Sequence, residues 1–272
     1  MLPIALTIAG SDSGGGAGIQ ADLKTFHQFG VYGTTAIVAV TAQNTKGVRA
    51  VHPIPPEIVA AQLDALADDL PPNAVKSGML ATRPLVELVA ERLRRHRWSA
   101  YVLDPVMVAS SGDRLLEADA EAAVREQLVP LAQVVTPNLD EAAILVGFPV
   151  RDPDAMERAG RALLAMGARA ALIKGGHLEG DQLLDVLVEP DEVIRFPHTR
   201  IDTESTHGTG CTLSAAITAG LARWHQTNRG LPPPLPELVG LGLDYVHRAI
   251  AAAPKLGEGH GPVNHLVPTK RE

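Results

Sequence analysis

The sequence predicts an α/β fold in which a mostly parallel sheet is covered by helices on both faces. Short apolar runs alternate with stretches of helical periodicity along the 272 residues, and the connections between them are short. Glycines and polar residues directly follow several of these runs, as is typical of parallel strands that end at a ligand. Hydrophobic residues make up 46% of the chain, and no linker or repeat interrupts it. We therefore expect one domain spanning residues 1–272.

The elements follow from local periodicity and from the residues that bound it. Apolar runs predict strands at residues 4–9, 34–40, 48–52, 74–76, 101–103, 134–135 and 170–173, then a hairpin of residues 183–189 and 192–197. Helical spacing predicts helices at residues 19–29, 57–70, 82–93, 119–128, 153–166 and 238–253, with others starting near residues 138–141 and 208–210. Thr82 is expected to cap the third helix, and Gly30 to end the first.

Composition and charge argue against several function classes. The net charge of −7 disfavours a nucleic-acid-binding surface but allows a local anion site. The apolar runs are too short to cross a bilayer, and the first residues lack the regions of a signal peptide. A single cysteine cannot form an internal disulfide. We therefore expect a cytoplasmic protein that binds neither nucleic acid nor membranes.

A glycine-containing turn at residues 207–213 (HGTGCTL) opens a predicted helix. Apolar residues recur at helical spacing after it: Leu213, Ile217, Leu221 and Trp224. Such a turn presents unpaired N–H groups, and the helix dipole adds positive potential, so it suits an anion such as phosphate. We expect the same field to lower the pKa of the only cysteine, Cys211. A plain helix start with a small buried thiol is the alternative.

A second glycine-rich segment, residues 10–18 (GSDSGGGAG), follows the first predicted strand. Its glycines allow a ligand to approach the backbone closely. Residues 16–21 match the dinucleotide-binding fingerprint, which requires an acidic residue at the end of the second strand. That strand ends in residues 41–44 (TAQN) instead. The sequence thus disfavours a dinucleotide site.

Charged residues directly follow two predicted strands, and a third lies at a helix start. Asp104 and Lys174 follow strands, so both are expected along one crevice with Cys211. Phosphoryl transfer needs a phosphate cradle, a cation and carboxylates that hold a metal. Lys174 is the candidate cation, and Asp104 and Glu141 are the candidates for holding Mg²⁺ through waters. Each has a plainer alternative: a surface lysine, a turn aspartate before proline, and a carboxylate that complements a helix N-terminus.

A series of short polar and glycine-rich blocks recurs along the chain. They are residues 9–22 (AGSDSGGGAGIQAD), 41–45 (TAQNT), 76–79 (KSGM), 104–107 (DPVM), 136–142 (TPNLDEA), 174–177 (KGGH), 207–212 (HGTGCT) and 257–265 (GEGHGPVNH). In this order these blocks resemble the hydroxymethylpyrimidine/phosphomethylpyrimidine kinase family of the ribokinase-like superfamily. The resemblance implies a ribokinase-like three-layer α/β/α fold, ATP and Mg²⁺ as cofactors, and a homodimer.

The same resemblance implies a substrate and the residues that bind it. The substrate is 4-amino-5-hydroxymethyl-2-methylpyrimidine, which is phosphorylated to the monophosphate and then to the diphosphate in thiamine diphosphate biosynthesis. The second step adds phosphate charge on the substrate side, and the glycine-rich loop at residues 10–18 is the candidate for binding it. Gln43 matches the glutamine that binds the pyrimidine, and its amide has the donor and acceptor that an aminopyrimidine needs. Asp22 and Gly10 match positions near the amino and hydroxymethyl groups, whereas Met79 and Val106 match positions that pack on the ring.

At the nucleotide end, the resemblance implies roles for the turn and for the charged residues. Asp104, Glu141 and Lys174 match the ATP–metal end, with Asn138 and Thr209 as nucleotide contacts. The anion hole is matched by Gly208, Gly210 and Cys211. Sugar kinases of this fold have an aspartate as general base where this chain has Cys211, so the thiol is the expected base. Loose phosphoryl transfer needs little base help, so positioning and charge neutralisation are alternative contributions.

Three other functions are considered beside this one. A pyridoxal or pyridoxine kinase of the same superfamily would also accept a ring that bears a hydroxymethyl group. A cysteine hydrolase would use Cys211 with a histidine such as His207. A non-catalytic nucleotide-binding protein would bind ATP without turnover. Residues 110–112 and 176–181 have the composition of mobile loops that could close over a substrate.

Overall fold

The computed structural model describes residues 2–107, 118–176, 178, 180–228 and 230–269. The strands are β1 (Ile4–Ser11), β2 (Tyr32–Asn44), β3 (Gly47–Pro53), β4 (Ala74–Ser77), β5 (Tyr101–Leu103), β6 (Val134–Val135), β7 (Ala171–Ile173), β8 (Gln182–Val188) and β9 (Val193–Thr199). The helices are α1 (Gly18–Gln28), α2 (Pro56–Asp69), α3 (Arg83–Arg95), α4 (Ala118–Ala123), α5 (Leu139–Val146), α6 (Pro153–Ala165), α7 (Thr209–Thr227) and α8 (Leu235–Ala251).

The strands of the described residues form one nine-stranded sheet in the order β3-β2-β1-β4-β5-β6-β7-β8-β9. Neighbouring strands from β2 through β1, β4, β5 and β6 to β7 are parallel, whereas β3, β8 and β9 pair antiparallel at the two edges. Because the carboxyl ends of parallel strands meet at one edge of a sheet, residues that follow different strands are brought together there.

Helices cover both faces of the sheet and define two apolar cores. Successive side chains of a strand point to opposite faces, so Leu6, Ile8 and Val75 join one core, while Ala5 and Ala74 join the other. The first core contains side chains of α2 to α6, and the second contains side chains of α1, α7 and α8. The inner strands are almost wholly apolar because both of their faces are buried. The predicted three-layer α/β/α architecture is confirmed.

The predicted elements are present, and the differences lie at their ends. β2 continues to Asn44, because antiparallel pairing with β3 provides partners for its backbone. The predicted helix 119–128 turns into a π-helical turn at Val124–Leu128, shortly before Pro130, which has no amide hydrogen to continue it. Thr82 is the N-cap of α3, but its side chain makes no capping hydrogen bond, contrary to expectation. Gly30 follows α1 with a positive φ, as predicted.

Residues 110–112, which were predicted to form a mobile loop, and positions 177 and 179 of the second such loop lie outside the described residues. None of the helices in the described ranges has the length and apolar character needed to cross a membrane.

Candidate active site

A cavity of about 1040 Å³ opens where the parallel strands end. It extends from the turn after β1 to β8, β9 and α8, and the start of α7 forms part of its wall. The predicted site residues that line it are Gly10, Gln43, Met79, Asp104, Val106, Asn138, Glu141, Lys174, Gly208, Thr209, Gly210 and Cys211. The fold therefore brings residues from both ends of the chain into one cavity.

The turn before α7 presents backbone N–H groups to this cavity. Gly208 is the N-cap with φ +83°, and α7 begins at Thr209, so Gly210 and Cys211 lie in its first turn. A Cβ on Gly208 would overlap the carbonyl oxygen of Gly16, so both the backbone conformation and the available space require glycine. Within the described part of the chain, the N–H groups of Gly210 and Cys211 have no hydrogen-bond acceptor. These N–H groups are available to an anion.

The expectation of a lowered thiol pKa for Cys211 is wrong. Burial raises the pKa of the Cys211 thiol to about 12. The Lys76 ammonium and the Gly18 N–H act to lower this pKa, while the charges of Asp104 and Asp22 raise it. The field of one helix start does not outweigh the loss of hydration of a thiolate. Cys211 therefore keeps its proton at neutral pH in this pocket.

Lys174 follows β7 and lies over the turn before α7. Its Nζ is 3.3 Å from Oδ1 of Asp104 and 3.9 Å from Oε2 of Glu141. A Cβ on Gly210 would lie 3.1 Å from the same Nζ. Burial acts to lower the pKa of Lys174, but the two carboxylates hold it above its ordinary value. A cation therefore stands beside the free N–H groups, and 15% of its side chain is still exposed.

Asp104 and Glu141 have the chemistry expected for Mg²⁺. Burial raises the pKa of Glu141 to about 7; Lys174 lowers it and the Asp104 charge raises it. Among the described residues, no group of three or more His, Cys, Asp or Glu side chains is arranged to hold a metal ion. Mg²⁺ often uses only one or two carboxylates and completes its shell with waters and phosphates. The two carboxylates fit this cation, because both lie near Lys174 and the Asp104 charge raises the pKa of Glu141, a repulsion that a divalent cation would relieve.

Glu141 also has the plainer role considered above, that of a carboxylate at a helix N-terminus, and Asn138 shares this role. They form a capping box at the start of α5: Asn138 Oδ1 accepts from the Glu141 N–H at 2.9 Å, and Glu141 Oε2 accepts from the Asn138 N–H at 2.8 Å. Asn138 also pairs by a β-bridge with Lys174. The cap therefore fixes the Glu141 carboxylate next to the Lys174 backbone, so the structural and the functional roles are compatible.

Asp22 lies behind the cavity wall, which corrects its predicted contact with substrate. Its carboxylate accepts from Lys76 Nζ at 2.7 Å and from Thr7 Oγ1 at 2.6 Å, and all three residues are fully buried. Both of its oxygens are thus bound by protein donors. Lys76 Nζ is in turn 4.0 Å from Oδ2 of Asp104. Asp22 therefore acts on the cavity through its hydrogen bond to Lys76 and through its charge, not by direct contact.

Another part of the cavity wall is apolar. Met79 packs against Ala39, Ala81 and Val106. A Cβ on Gly10 would lie 2.6 Å from the Met79 Cε, so glycine at this position allows the methionine to approach β1. This arrangement offers a flat ring an apolar surface, with the Gln43 amide at the cavity wall.

The glycine-rich loop after β1 folds around Asp12. The Asp12 carboxylate accepts from the N–H groups of Gly14, Gly16 and Ala17 at 2.8–3.0 Å and from Nε2 of His207 at 2.8 Å. Three N–H donors of the loop are thus already paired with a carboxylate, which disfavours the hypothesis that this loop binds the charge of a phosphorylated substrate. Burial acts to raise the pKa of Asp12, but the His207 and backbone hydrogen bonds hold it below its ordinary value.

Sequence reasoning missed two charged groups of the site. Lys76 was not assigned a role, although a lysine within an otherwise apolar buried strand is a detectable signal. The Asp12–His207 pair joins positions 195 residues apart. No local pattern reveals such a contact, and the only hint was that both residues lie in glycine-containing segments.

Comparison with known proteins decides the family. A family model described as phosphomethylpyrimidine kinase matches residues 12–264. The chain belongs to this kinase family. A hydroxymethylpyrimidine/phosphomethylpyrimidine kinase of Rhizobium meliloti (strain 1021) is 53% identical to it over 98% of this chain and 98% of the relative.

Two solved structures are similar over most of their length. A phosphomethylpyrimidine kinase from Clostridium difficile 630 has a TM-score of 0.79 and 41% identity, covering 91% of this chain and 99% of its own. An ADP complex of Bacillus subtilis pyridoxal kinase has a TM-score of 0.88 and 38% identity, covering 97% of this chain and 98% of its own. The protein is therefore a phosphotransferase with the ribokinase-like fold, and the family match favours the pyrimidine over the pyridoxal alternative.

The hydrolase alternative also disagrees with the geometry. Nε2 of His207 is bound to Asp12 rather than to Cys211, and the thiol pKa is raised. A nucleophilic cysteine would need a base within hydrogen-bond reach and a thiolate at neutral pH.

Proposed function

We propose that this kinase uses ATP and Mg²⁺ to phosphorylate 4-amino-5-hydroxymethyl-2-methylpyrimidine, and then phosphorylates the monophosphate to the diphosphate, in thiamine diphosphate biosynthesis. The observation that carries the proposal is the arrangement of one cavity. Free N–H groups of Gly210 and Cys211 lie beside the Lys174 cation at one part of its wall, and an apolar ring surface with the Gln43 amide lies at another. Transfer between a nucleotide and a small heteroaromatic alcohol needs both parts.

The roles at the nucleotide part follow from charge. The N–H groups of Gly210 and Cys211 and the Lys174 ammonium would bind the oxygens of the transferring phosphoryl group, where negative charge lies in the transition state. Asp104 and Glu141 would hold Mg²⁺, which neutralises phosphate charge when bound. Asn138 and Thr209 line the same wall and are proposed as nucleotide contacts.

The roles at the acceptor part follow from shape and hydrogen bonding. Met79 and Val106 would pack on the pyrimidine ring, and Gly10 would allow the hydroxymethyl group to approach the backbone. The Gln43 amide would bind the amino group and a ring nitrogen. Cys211 stays the proposed base. Because its pKa is raised to about 12, base help at neutral pH is small, and positioning contributes more.

The second phosphorylation adds a phosphate on the substrate side. Since Asp12 occupies the donors of the glycine loop, that charge must be met elsewhere in the cavity. Lys76 lines the cavity, and Asp22 holds its pKa above the ordinary value against the opposing effect of burial. We propose that the positive charges of Lys76 and Lys174 stabilise the added negative charge of this phosphate.

A coupled ADP-release assay tests the proposed function. The substrates are the pyrimidine alcohol, its monophosphate, pyridoxine and ribose, each with and without Mg²⁺. We expect turnover of the first two only, and only with Mg²⁺. Equal turnover of pyridoxine would favour the pyridoxal kinase alternative, and ATP binding without any acceptor-dependent ADP release would favour a non-catalytic protein.

A pair of glycine substitutions tests the anion site. Gly208 and Gly147 have nearly equal positive φ angles of +83° and +80°, but a Cβ on Gly147 meets nothing within 4 Å. Gly208→Ala is expected to lower kcat about 100-fold by displacing the turn, because one such donor is worth about 10²–10³. Gly147→Ala should lose about 1 kcal/mol of stability through backbone strain and keep full activity. Equal kcat values for the two variants would contradict the anion site.

Three lesser expectations are part of the proposal. The whole chain, residues 1–272, is proposed to fold as one domain. A homodimer and a cytoplasmic location stay predictions. Sedimentation of the purified protein would test the first of these two, and fractionation of cells would test the second.

A further inference from the structure

His207 is held in a single position between the glycine-rich loop and the C-terminal tail. Its backbone N–H donates to the carbonyl oxygen of Gly261 at 3.1 Å, and it forms a β-bridge with Pro262. A Cβ on Gly16 would lie 2.5 Å from Cδ2 of the imidazole, so the ring packs directly on the loop. Only 11% of the side chain is exposed. The direction in which Nε2 points is therefore fixed.

Asp12 determines what His207 presents to its neighbours. An ionised carboxylate can only accept hydrogen bonds, so the His207 Nε2, 2.8 Å from Asp12 Oδ2, carries a hydrogen. The same Nε2 lies 3.4 Å from the amide nitrogen of Gln43, which also carries hydrogens. Two donors face each other in this orientation of the amide.

The amide oxygen of Gln43 has the opposite mismatch. The Thr41 hydroxyl donates its one hydrogen to the carbonyl oxygen of Ser11 at 2.8 Å. Only its lone pairs are then left for the Gln43 Oε1, which is 3.3 Å away. A half-turn of the amide about its last bond brings Oε1 to the His207 N–H, whose one hydrogen Asp12 and the amide oxygen then share, and brings the NH₂ group to the Thr41 oxygen. One rotation therefore resolves both mismatches.

We propose that His207, oriented by Asp12, is a positioning residue that locks the Gln43 amide with its oxygen toward His207 and its NH₂ group toward Thr41. The lock leaves one lone pair and one N–H of the amide for a ligand, in a fixed order. An aminopyrimidine has the complementary order, because its amino group donates and its ring nitrogen accepts. This selection of substrate rests on the proposed function, whereas the hydrogen-bonding pattern of the lock does not.

Nitrogen-15 NMR of the histidine side chains tests the lock without substrate. The ligand-free wild type is compared with His207→Gln, which assigns the His207 signals by their loss. We expect Nε2 of His207 to carry a hydrogen across the pH range in which Asp12 is ionised. An Nε2 without hydrogen would overturn the lock, whatever the enzyme's substrate is.

Steady-state kinetics tests the consequence for substrate selection. In His207→Leu, which has no donor, we expect the KM for the pyrimidine alcohol to rise about tenfold, as for the loss of one buried hydrogen bond. The KM for ATP should change less than twofold. His207→Gln, which retains an N–H donor, should restore the KM to within about threefold of the wild type. Thr41→Val, of nearly the same shape, should also raise the pyrimidine KM without affecting that for ATP.

A double-mutant cycle separates the lock from a purely structural role. If His207 acts through Gln43, the variant His207→Leu/Gln43→Ala should have the same pyrimidine KM as Gln43→Ala alone. Additive losses, or a parallel rise in the KM for ATP, would overturn the proposal and leave the kinase function standing. Lack of pyrimidine turnover by the wild type would overturn the kinase function and the substrate selection together, while the NMR result would still decide the lock itself.

Discussion

Two lysines stand at the carboxyl end of the sheet, and they differ in what surrounds them. Lys76 lies within β4, is fully buried, and donates to the equally buried Asp22. Lys174 lies just past the end of β7, contacts Asp104 and Glu141, and remains 15% exposed to the cavity. In both, carboxylates hold the lysine pKa above its ordinary value against the opposing effect of burial. Both lysines line the cavity wall, so the two ion pairs differ in whether the cation is exposed there: the Lys76 side chain is sealed by protein and that of Lys174 is open.

The position along the strand explains this difference. A side chain within a central parallel strand is covered by a helix layer, so its charge must be paired inside the protein. A side chain one residue past the strand end projects into the crevice, where a ligand can share its charge. Asp104 lies between the two lysines: its Oδ2 is 4.0 Å from Lys76 Nζ, and its Oδ1 is 3.3 Å from Lys174 Nζ.

The largest effect is expected for Lys76. Lys76→Met leaves the buried Asp22 carboxylate without its cation, with only the Thr7 hydroxyl as a partner, so the free energy of unfolding should fall by about 3–5 kcal/mol. Urea denaturation followed by circular dichroism measures this change. The double variant Lys76→Met/Asp22→Leu should recover much of the loss, because the whole pair is then apolar. A double variant no more stable than Lys76→Met would contradict the account of a sealed pair.

Lys174→Met should give the opposite pattern. We expect kcat/KM for the pyrimidine alcohol to fall about 10²–10³-fold, as for the loss of one preorganised charge in a transition state. The urea midpoint should change much less than in Lys76→Met, since the site remains open to water. Lys255→Met, at an exposed lysine, is the control for loss of one positive charge. A large loss of stability without a loss of activity would reverse the assignment of the two lysines.

Glu141 should make stability depend on pH in a defined direction. Its pKa is raised by burial from 4.5 to about 7, so the folded state binds the proton more tightly than the unfolded state. The stability that this group contributes is present below pH 4.5 and is lost as the pH rises through 7. Relative to Glu141→Gln, the wild type should lose about 2–3 kcal/mol between these limits in Mg²⁺-free buffer. Glu57→Gln is the control at an exposed carboxylate, and a pH-independent difference for Glu141→Gln would contradict the raised pKa.

The smallest effect is expected for Cys211, which lies near both lysine groups. The Lys76 charge lowers the pKa of its thiol, and the charge of Asp104, the carboxylate between the two lysines, raises it. With a pKa of about 12, its thiolate is scarce at neutral pH, so Cys211→Ala should lower kcat by about tenfold or less at pH 7. If the thiolate is the base, wild-type kcat should rise from pH 7 to 9 while that of Cys211→Ala stays flat. Equal pH profiles for the two proteins would remove Cys211 from the role of base.

The prediction from sequence succeeded where the signal was local. The apolar runs located the strands, because a strand buried on both faces is apolar at every position. The helical spacings located the helices, because a helix buried on one face repeats its apolar residues at the helical period. The convergence of Asp104, Lys174 and Cys211 was also predictable, since residues that follow parallel strands meet at one edge. The family resemblance added the assignments of Gln43 and Met79, which no local pattern carries.

Other properties were decided by contacts between distant segments. Asp22 lies in a block that matches the family, residues 9–22. Its hydrogen-bond donors, Thr7 and Lys76, come from β1 and β4 and hold its carboxylate behind the cavity wall. The donors of the glycine-rich loop looked free in the sequence, yet the Asp12 carboxylate takes them and is itself bound by His207.

The sequence by itself determined the order of the elements, the three-layer fold and the edge of the sheet at which the candidate site lies, because these follow from hydrophobic period and chain connectivity. Only the tertiary structure decided the ionisation of Cys211, the separation of the two lysines into a sealed and an open group, and the hydrogen-bond partners of Gln43. The physical reason is that a pKa or a donor–acceptor match depends on desolvation and on charges within a few ångströms, and those neighbours come from segments far apart in the chain.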